Sequence, residues 1–392
     1  MAEAQYCTED NRFTEVQYFN NSDITAVTDL VYGNANDYEG NPQDLLMDIR
    51  YPSGANETLS KRPFILMIHG GGFTDNSKEG KRIASRLMTQ RGFVTAAINY
   101  RLGWNDDNPD DGLYPAAYRA QQDAFAALRF IIENADTYGI DTAWIFVEGR
   151  SAGAATALNC VFADESDWEA VVPGIVDSWG PLNSSGNELE HNFDIKAVKS
   201  DCGATGEIAI EPSDMVPMIM FHGEFDHLAP IDSSDEGLAG SRFIHEKLVE
   251  NGVCSELNVD PEGGHCPHPR DFRFKRAACF FRSILCNTCA SNSFTEEIPA
   301  DCSSTIVGLN DPGTKEHSIQ IYPNPVTDQF TIRKAMGTQI DIFSATGQLQ
   351  RTIYPNKTLL TVDISDLPAG LYFVRATTPN GNSFDIQKIV KQ

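Results

Sequence analysis

Residues 143–153 read AWIFVEGRSAG, an apolar run followed at once by a G-x-S-x-G pattern. The apolar run predicts a buried strand, and the alanine-rich residues 152–162 predict a closely packed helix after it. Glycines on both sides of the serine allow a sharp strand-to-helix turn, which exposes the serine hydroxyl at the edge of the sheet. The stretch therefore predicts an α/β fold with Ser151 as its nucleophile.

A second glycine motif, HGGGF at residues 69–73, follows another apolar run at residues 63–68. Consecutive glycines present backbone amides with no side chain in the way, so that these amides can approach a substrate oxygen closely. The amides of Gly71, Gly72 and Ala152 are therefore predicted to form an oxyanion hole.

A serine hydroxyl becomes a good nucleophile only when a base accepts its proton and a carboxylate orients that base. Residues 216–221 and 256–259 predict two further buried strands. Asp226 follows the first of these strands, and His265 follows the second. We therefore predict Asp226 as the orienting acid and His265 as the general base.

Other residues in the same loops keep alternatives open. Glu224 is a second candidate for the acid, and His222, His227 and His268 are further candidates for the base. His69 has a different expected role, which is to hold the glycine loop by hydrogen bonding.

The two glycine motifs, the order Ser, Asp, His, and the segments YRLG at 100–103 and VPMIMFHGEFD at 216–226 resemble one family. They are similar to serine carboxylesterases of the α/β-hydrolase fold with an HGGG oxyanion loop, near feruloyl and acetylxylan esterases. The resemblance covers roughly residues 24–285. It implies a mostly parallel central sheet with helices on both faces, ester hydrolysis through an acyl-enzyme, and no cofactor. One departure is Arg150, where many relatives carry an acidic residue.

Four residues are candidates for a substrate pocket: Phe73, Trp104, Arg150 and Trp179. Both tryptophans follow predicted strands that end at the active-site edge, although core packing explains each of them equally well. Residues 183–213 are expected to be a long insertion that covers an otherwise open cleft.

An open cleft favours short acyl groups on bulky alcohols, such as acetyl or feruloyl esters of plant polysaccharides, or synthetic polyesters. Two other functions remain as alternatives. A secreted binding or adhesion protein can retain a hydrolase fold without catalysis, and a serine triad does not by itself choose an ester over a peptide bond.

The end of the chain differs in composition from the rest. Residues 318–392 hold seven Lys and Arg against five Asp and Glu, whereas the whole chain has a net charge of −25. We expect a catalytic domain at 1–302, a linker at 303–317 rich in turn-forming residues, and an all-β sandwich at 318–392. The phrases YPNP at 322–325 and LPAGLYFV at 367–374 resemble the C-terminal sorting domain of the type IX secretion system.

That second resemblance implies the secretion machinery as a partner and a location outside the cell or on the outer surface of a gram-negative bacterium. A carbohydrate-binding module is the alternative, but all four tryptophans lie in the first domain. The strong negative charge argues against nucleic acid or an anionic membrane as a partner. No run of 18 apolar residues exists, so no membrane span is predicted. We expect the sequence to begin at the mature end of the exported protein.

Nine cysteines in an exported protein predict disulfides. Cys279 and Cys286 share a predicted helix at a separation of about 10 Å, which is too far for a bond between them. Cys160, in the helix after the serine, is the best candidate for an unpaired thiol. A zinc site at Cys286 and Cys289 is a weaker alternative to disulfides, and no metal is predicted. The acidic residues 106–111 are expected to form a solvated turn, with calcium binding as the alternative.

Overall fold

The computed structural model describes residues 5–7, 11–104, 112–295, 302, 320–322, 324–333, 339–345, 348–355, 359–377 and 383–392. The chain divides into two compact units, residues 1–304 and residues 305–392. The predicted linker at 303–317 and the acidic turn at 106–111 lie outside the described residues.

A nine-stranded sheet forms the centre of the first unit, in the order β1-β2-β4-β3-β5-β6-β8-β10-β11, and β7 and β9 form a separate two-stranded sheet. The strands are β1 (Ile24–Asn36), β2 (Pro42–Pro52), β3 (Arg62–Ile68), β4 (Val94–Ile98), β5 (Ile140–Arg150), β6 (Ile195–Asp201), β7 (Ala204–Gly206), β8 (Met218–Gly223), β9 (Leu238–Gly240), β10 (Ser255–Asp260) and β11 (Asn292–Phe294). In the nine-stranded sheet, β1–β2 and β2–β4 pair antiparallel, and each later pair in the sheet order, from β4–β3 to β10–β11, is parallel. The pair β7–β9 is antiparallel.

Eight α-helices accompany these strands in the described residues. They are α1 (Arg82–Thr89), α2 (Leu113–Glu133), α3 (Ala135–Tyr138), α4 (Ala152–Phe162), α5 (Glu165–Val171), α6 (Ile175–Trp179), α7 (Ser241–Glu250) and α8 (Arg270–Leu285).

The strand β3, in which every residue is buried, shows how the helices cover the sheet. Successive side chains of a strand point to opposite faces. Phe64, Leu66 and Ile68 belong to a core cluster that includes side chains of α2 and α4. Ile65 and Met67 belong to a second cluster, which includes side chains of α1 and α8. The sheet is therefore covered on both faces, as the α/β-hydrolase resemblance predicts.

The strands predicted before the glycine motif, the serine, Asp226 and His265 correspond to β3, β5, β8 and β10. The expectation that residues 183–213 form a covering insertion is wrong for their middle part, because β6 lies in the central sheet between β5 and β8. Its sequence, IKAVKSD, has a polar appearance. Lys199 is nevertheless fully buried and pairs with Asp201 at 2.6 Å and Glu148 at 3.4 Å. These buried ion pairs conceal a core strand in the sequence.

The second unit contains two antiparallel sheets, ordered β12-β13-β16 and β15-β14-β17-β18. The strands are β12 (Gln320–Tyr322), β13 (Gln329–Arg333), β14 (Gln339–Ser344), β15 (Leu349–Ile353), β16 (Leu359–Asp363), β17 (Gly370–Thr377) and β18 (Ser383–Lys391). Phe330 and Val362 of the first sheet share one apolar cluster with Ile342 and Val374 of the second. The predicted sandwich is confirmed, and β15 is a strand that its polar sequence did not reveal.

Four disulfides lie in the first unit. They join Cys7 to Cys286, Cys202 to Cys266, Cys254 to Cys289, and Cys279 to Cys302. Cys279 and Cys286 therefore bond to separate partners, and Cys160 is the buried free thiol, as predicted. No helix within the described ranges combines the length and apolar character needed to cross a membrane.

Candidate active site

Ser151 lies at the turn between β5, which ends at Arg150, and α4, which begins at Ala152. Its backbone φ is +53° and its ψ is −124°, a conformation that L-residues rarely adopt. A Cβ at Gly149 would overlap the backbone carbonyl of Gly153, so the turn closes only with glycine there. This sharp turn is the one that the sequence pattern predicts.

The structure brings the three residues of the predicted triad together. The Ser151 Oγ lies 2.7 Å from Nε2 of His265, and Nδ1 of His265 lies 2.8 Å from Oδ2 of Asp226. The Asp226 side chain is fully buried, whereas that of His265 is partly exposed. A carboxylate at Nδ1 accepts a hydrogen bond from the Nδ1–H group, so the ring proton stays on Nδ1 and Nε2 is free to accept the hydrogen bond of the serine hydroxyl.

Asp226 is held as a carboxylate by its surroundings. It accepts hydrogen bonds from the backbone amides of Leu228 at 2.9 Å and Ala229 at 3.0 Å, and Nε2 of His222 lies 3.2 Å from its Oδ2. Burial alone would raise the pKa of Asp226. Hydrogen bonds from His222, His265 and the two amides outweigh it and hold the pKa well below its usual value.

The alternative acid and bases occupy other environments. Glu224 forms an ion pair with Arg242. His222 lies beside Asp226, but its Nδ1 contacts the hydroxyl of Ser241 at 2.8 Å. His227 is exposed, and the ring of His268 stacks on Phe272. Among the described residues, His265 is the histidine that hydrogen bonds to the Ser151 hydroxyl.

The three predicted oxyanion-hole residues, Gly71, Gly72 and Ala152, line the same cleft as Ser151. Gly71 has φ +125° and Gly72 has φ +61°, and a Cβ on Gly71 would overlap a backbone carbonyl. The backbone N–H groups of these three residues donate to no acceptor within the described part of the chain. This arrangement leaves three donors close to the serine.

His69 fixes the start of the glycine loop. Its Nδ1 lies 2.8 Å from the carbonyl oxygen of Gly70, and its ring stacks on Tyr100 with centroids 4.4 Å apart. The Tyr100 hydroxyl also donates to the carbonyl of His69 at 3.0 Å. Burial lowers the pKa of His69 to about 4, so its ring is neutral near pH 7. The predicted loop-holding role agrees with these contacts.

An apolar cleft of about 530 Å³ opens beside Ser151. Phe73 and Trp104 line it, as expected for pocket residues, together with Trp168 and Ala155. The residue before the serine, Arg150, lines a second cavity next to the cleft.

The pocket expectation is wrong for Trp179. This residue ends the helix α6 and does not follow a strand, and it is not among the residues that line the cleft. The guanidinium of Arg119 lies 4.1 Å above its ring. A cation–π contact inside the protein therefore accounts for this tryptophan.

The rim of the cleft contains residues that the sequence did not single out. The strand β7 pairs with β9 to form a short ribbon beside the opening, and Ile208 follows it. Leu228, two residues after Asp226, is 78% exposed at the same rim. Part of the 183–213 segment thus borders the cleft, although its middle forms β6. The signal available in the sequence was a leucine two residues after Asp226.

The disulfide between Cys202 and Cys266 ties the end of β6 to the residue after His265. The Cys202 Sγ lies 3.9 Å from Nε2 of His265. Replacing Cys202 and Cys266 with serine is expected to lower kcat for any ester by about tenfold, because small displacements of a reacting group are costly. Steady-state rates per folded molecule test this prediction.

The matched control removes the disulfide between Cys254 and Cys289, which joins the start of β10 to the segment between α8 and β11. Both double variants should lose thermal stability, since each loses a covalent loop closure. If both variants, or neither of them, also lost kcat, then Cys202 and Cys266 would have no specific role in positioning His265.

Two family models match the chain. The BD-FAE model matches residues 47–206, and the model for the secretion system C-terminal sorting domain matches residues 320–392. The first match includes both glycine motifs. Asp226 and His265 lie beyond its end.

Curated relatives include Esterase B1 of Culex pipiens, which is 30% identical over 108 residues, or 26% of this chain and 20% of that protein. Gut esterase 1 of Caenorhabditis briggsae is 33% identical over 111 residues, or 26% of this chain and 18% of that protein. The chain thus spans about a fifth of the length of these relatives.

Similar solved structures include a truncated carbohydrate esterase from gut microbiota, with a TM-score of 0.49 and 19% identity. The comparison covers 69% of this chain and 98% of that one. Esterase 2 of Thermogutta terrifontis with bound propionate gives a TM-score of 0.49 and 19% identity, covering 68% of this chain and 96% of that one.

Proposed function

We propose that this chain, which carries a BD-FAE esterase domain and a secretion system C-terminal sorting domain, is an exported carboxylic ester hydrolase. The sorting domain implies export to a secreted or cell-surface location. The observation that carries the proposal is the hydrogen-bonded series from Ser151 through His265 to Asp226, beside an apolar cleft.

In the proposed mechanism, the Ser151 oxygen attacks the ester carbonyl carbon while Nε2 of His265 takes the hydroxyl proton. Asp226 stabilises the imidazolium that forms, and the amides of Gly71, Gly72 and Ala152 donate to the oxyanion. The intermediate then collapses and the alcohol leaves with the proton from the histidine. Water attacks the acyl-enzyme by the same steps, and no cofactor takes part.

The cleft favours apolar and aromatic parts of a substrate. Phe73, Trp104 and Trp168 supply flat aromatic surface, and Ala155 leaves space between them. The exposed rim residues Ile208 and Leu228 offer apolar surface to a larger substrate. Acetyl or feruloyl esters of polysaccharides, or polyesters, are the substrate classes that we propose on this basis.

Initial rates on a substrate panel test the proposal. The panel contains 4-nitrophenyl esters from acetate to decanoate, methyl ferulate, acetylated xylan, a polyester film and a peptide anilide. Wild type is expected to hydrolyse the short nitrophenyl esters and methyl ferulate and to leave the anilide intact. Preferential cleavage of the anilide would identify a peptidase instead.

A covalent probe gives a readout that is independent of substrate choice. A 4-nitrophenyl alkylphosphonate is expected to add one phosphonyl group at Ser151, because an activated serine hydroxyl attacks phosphorus as it attacks a carbonyl. Peptide mapping by mass spectrometry locates the adduct. A chain that neither labels nor hydrolyses any panel member would instead be a binding protein with a hydrolase fold.

A further inference from the structure

A second cavity, of about 620 Å³, adjoins the apolar cleft at the candidate active site. Gly71, Ser151 and His265 line both spaces. An ester bound at Ser151 can therefore extend one part into the cleft and the other part into this second space, which we call the basic cavity. The basic cavity differs from the cleft in its chemistry.

Four cationic side chains line the basic cavity: Lys81, Arg150, Arg270 and Arg273. Lys81 pairs with Glu148 at 2.9 Å, and Arg273 pairs with Asp201. The Nε of Arg270 lies 3.6 Å from Asp271, and its side chain is about half exposed.

Arg150 lies next to the nucleophile and is exposed. No carboxylate in the part of the chain that the structure describes forms an ion pair with it. Arg150 is thus open to an anionic group.

A buried ion cluster behind the basic cavity adds to its positive charge. Among the described residues, Lys81, Lys199 and Arg273 pair with two carboxylates, Glu148 and Asp201. When all three cations are protonated, the cluster carries one uncompensated positive charge, in a chain whose net charge is −25. Burial, together with the neighbouring arginines, lowers the pKa of Lys199 to about 7. An anion in the basic cavity would favour its protonated form.

Two buried polar atoms of the basic cavity have no hydrogen-bond partner among the described residues. They are Nε2 of His69 and Nδ1 of His268. The two side chains are 1% and 8% exposed, and both line the cavity. Buried polar atoms are normally paired, so these atoms indicate that a polar group belongs there. Because Nδ1 of His69 donates to Gly70, its Nε2 accepts, as it would from a hydroxyl group.

We infer that the basic cavity is a subsite for a carboxylate-bearing part of the ester substrate, with Arg150 as the residue that pairs with the carboxylate and Arg270 as a second cation of the same cavity. This inference rests on the proposed ester hydrolysis and narrows its substrate class to esters that are apolar on one side and acidic on the other. Acidic sugars that carry an acyl group have this chemistry.

Two pairs of isosteric esters test the inference. In the first pair, 4-acetoxybenzoate and 4-acetoxybenzamide differ in charge on the alcohol side. In the second pair, monomethyl terephthalate and methyl 4-carbamoylbenzoate differ in charge on the acyl side. In at least one pair, kcat/KM is expected to be about tenfold higher for the charged ester, because its carboxylate can form a charge-assisted hydrogen bond with Arg150.

The charge preference should fall to about twofold or less in Arg150→Gln, and further in the double variant Arg150→Gln/Arg270→Gln. Arg86→Gln, on the exposed face of α1, removes the same charge elsewhere and should keep the wild-type preference. Equal rates within both pairs would overturn the inference, as would a preference that survives in the double variant.

Calorimetry separates this inference from the proposed function. The Ser151→Ala variant should bind 4-acetoxybenzoate or monomethyl terephthalate about tenfold more tightly than the matching amide, and Arg150→Gln in that background should remove the difference. If wild type fails to hydrolyse 4-nitrophenyl acetate, the proposed function fails. The difference in affinity between acid and amide still tests whether the basic cavity binds a carboxylate. Equal binding of acid and amide in both pairs overturns the subsite alone.

Discussion

Replacing Ser151 with alanine is expected to lower kcat for ester hydrolysis by about 10⁴-fold or more, because the proposed mechanism forms its covalent intermediate on the Ser151 oxygen. The Ser151 Oγ is the atom that faces Nε2 of His265. The residual rate should come from the oxyanion-hole amides acting on an ester that water attacks. Steady-state rates on 4-nitrophenyl butyrate measure the loss.

The matched control is Ser178→Ala, which removes an exposed hydroxyl from the helix α6. It should keep the wild-type rate. Both variants should retain a cooperative thermal transition, since alanine at 151 keeps the neighbouring glycines that close the turn. A folded Ser151→Ala protein with more than about a tenth of wild-type kcat would remove Ser151 from the reaction.

Local constraints explain why the sequence predicts much of this site. The turn at Ser151 requires small residues in contact with it, and the glycine loop requires positive φ at Gly71 and Gly72. Such requirements restrict the residue types over short stretches, which makes them visible without a structure. The strands that lead into both motifs are buried runs of apolar residues, and they are equally visible.

Features that depend on distant contacts were not predictable in the same way. The strand β6 contains Lys199, whose burial depends on Glu148 in β5 as well as on Asp201. The sequence places Trp179 after a predicted strand and therefore in the pocket, whereas in the structure Trp179 ends a helix and packs against Arg119. In both cases the side chain alone suggests another environment, and tertiary packing decides the outcome.

The choice between Glu224 and Asp226 shows the same limit within one loop. Both carboxylates follow β8, only two residues apart. Glu224 is neutralised by Arg242, which belongs to α7. Asp226 contacts His265, which belongs to the loop after β10. Because both partners come from elsewhere in the chain, only the folded arrangement separates the two carboxylates.

Asp226→Asn is expected to lower kcat by about 10³- to 10⁴-fold while leaving the fold intact. An asparagine amide at this position donates a hydrogen bond to Nδ1 of His265, which favours the tautomer with the ring proton on Nε2. In that tautomer Nε2 cannot accept the proton of the serine hydroxyl. The oxygen of the new side chain can still accept hydrogen bonds from the backbone amides of Leu228 and Ala229.

The matched control for that variant is Glu224→Gln, which changes the neighbouring carboxylate in the same way and should keep kcat within about threefold of wild type. A larger loss in Glu224→Gln than in Asp226→Asn would exchange the roles of the two residues.

Stability gives a second readout. Because the folded-state pKa of Asp226 is lowered, its ionised form stabilises the protein above the unfolded-state pKa of about 4, and this contribution disappears as the pH falls toward the folded-state pKa. The melting temperature of Asp226→Asn should therefore lie below that of wild type near pH 7, and the difference should shrink in acid.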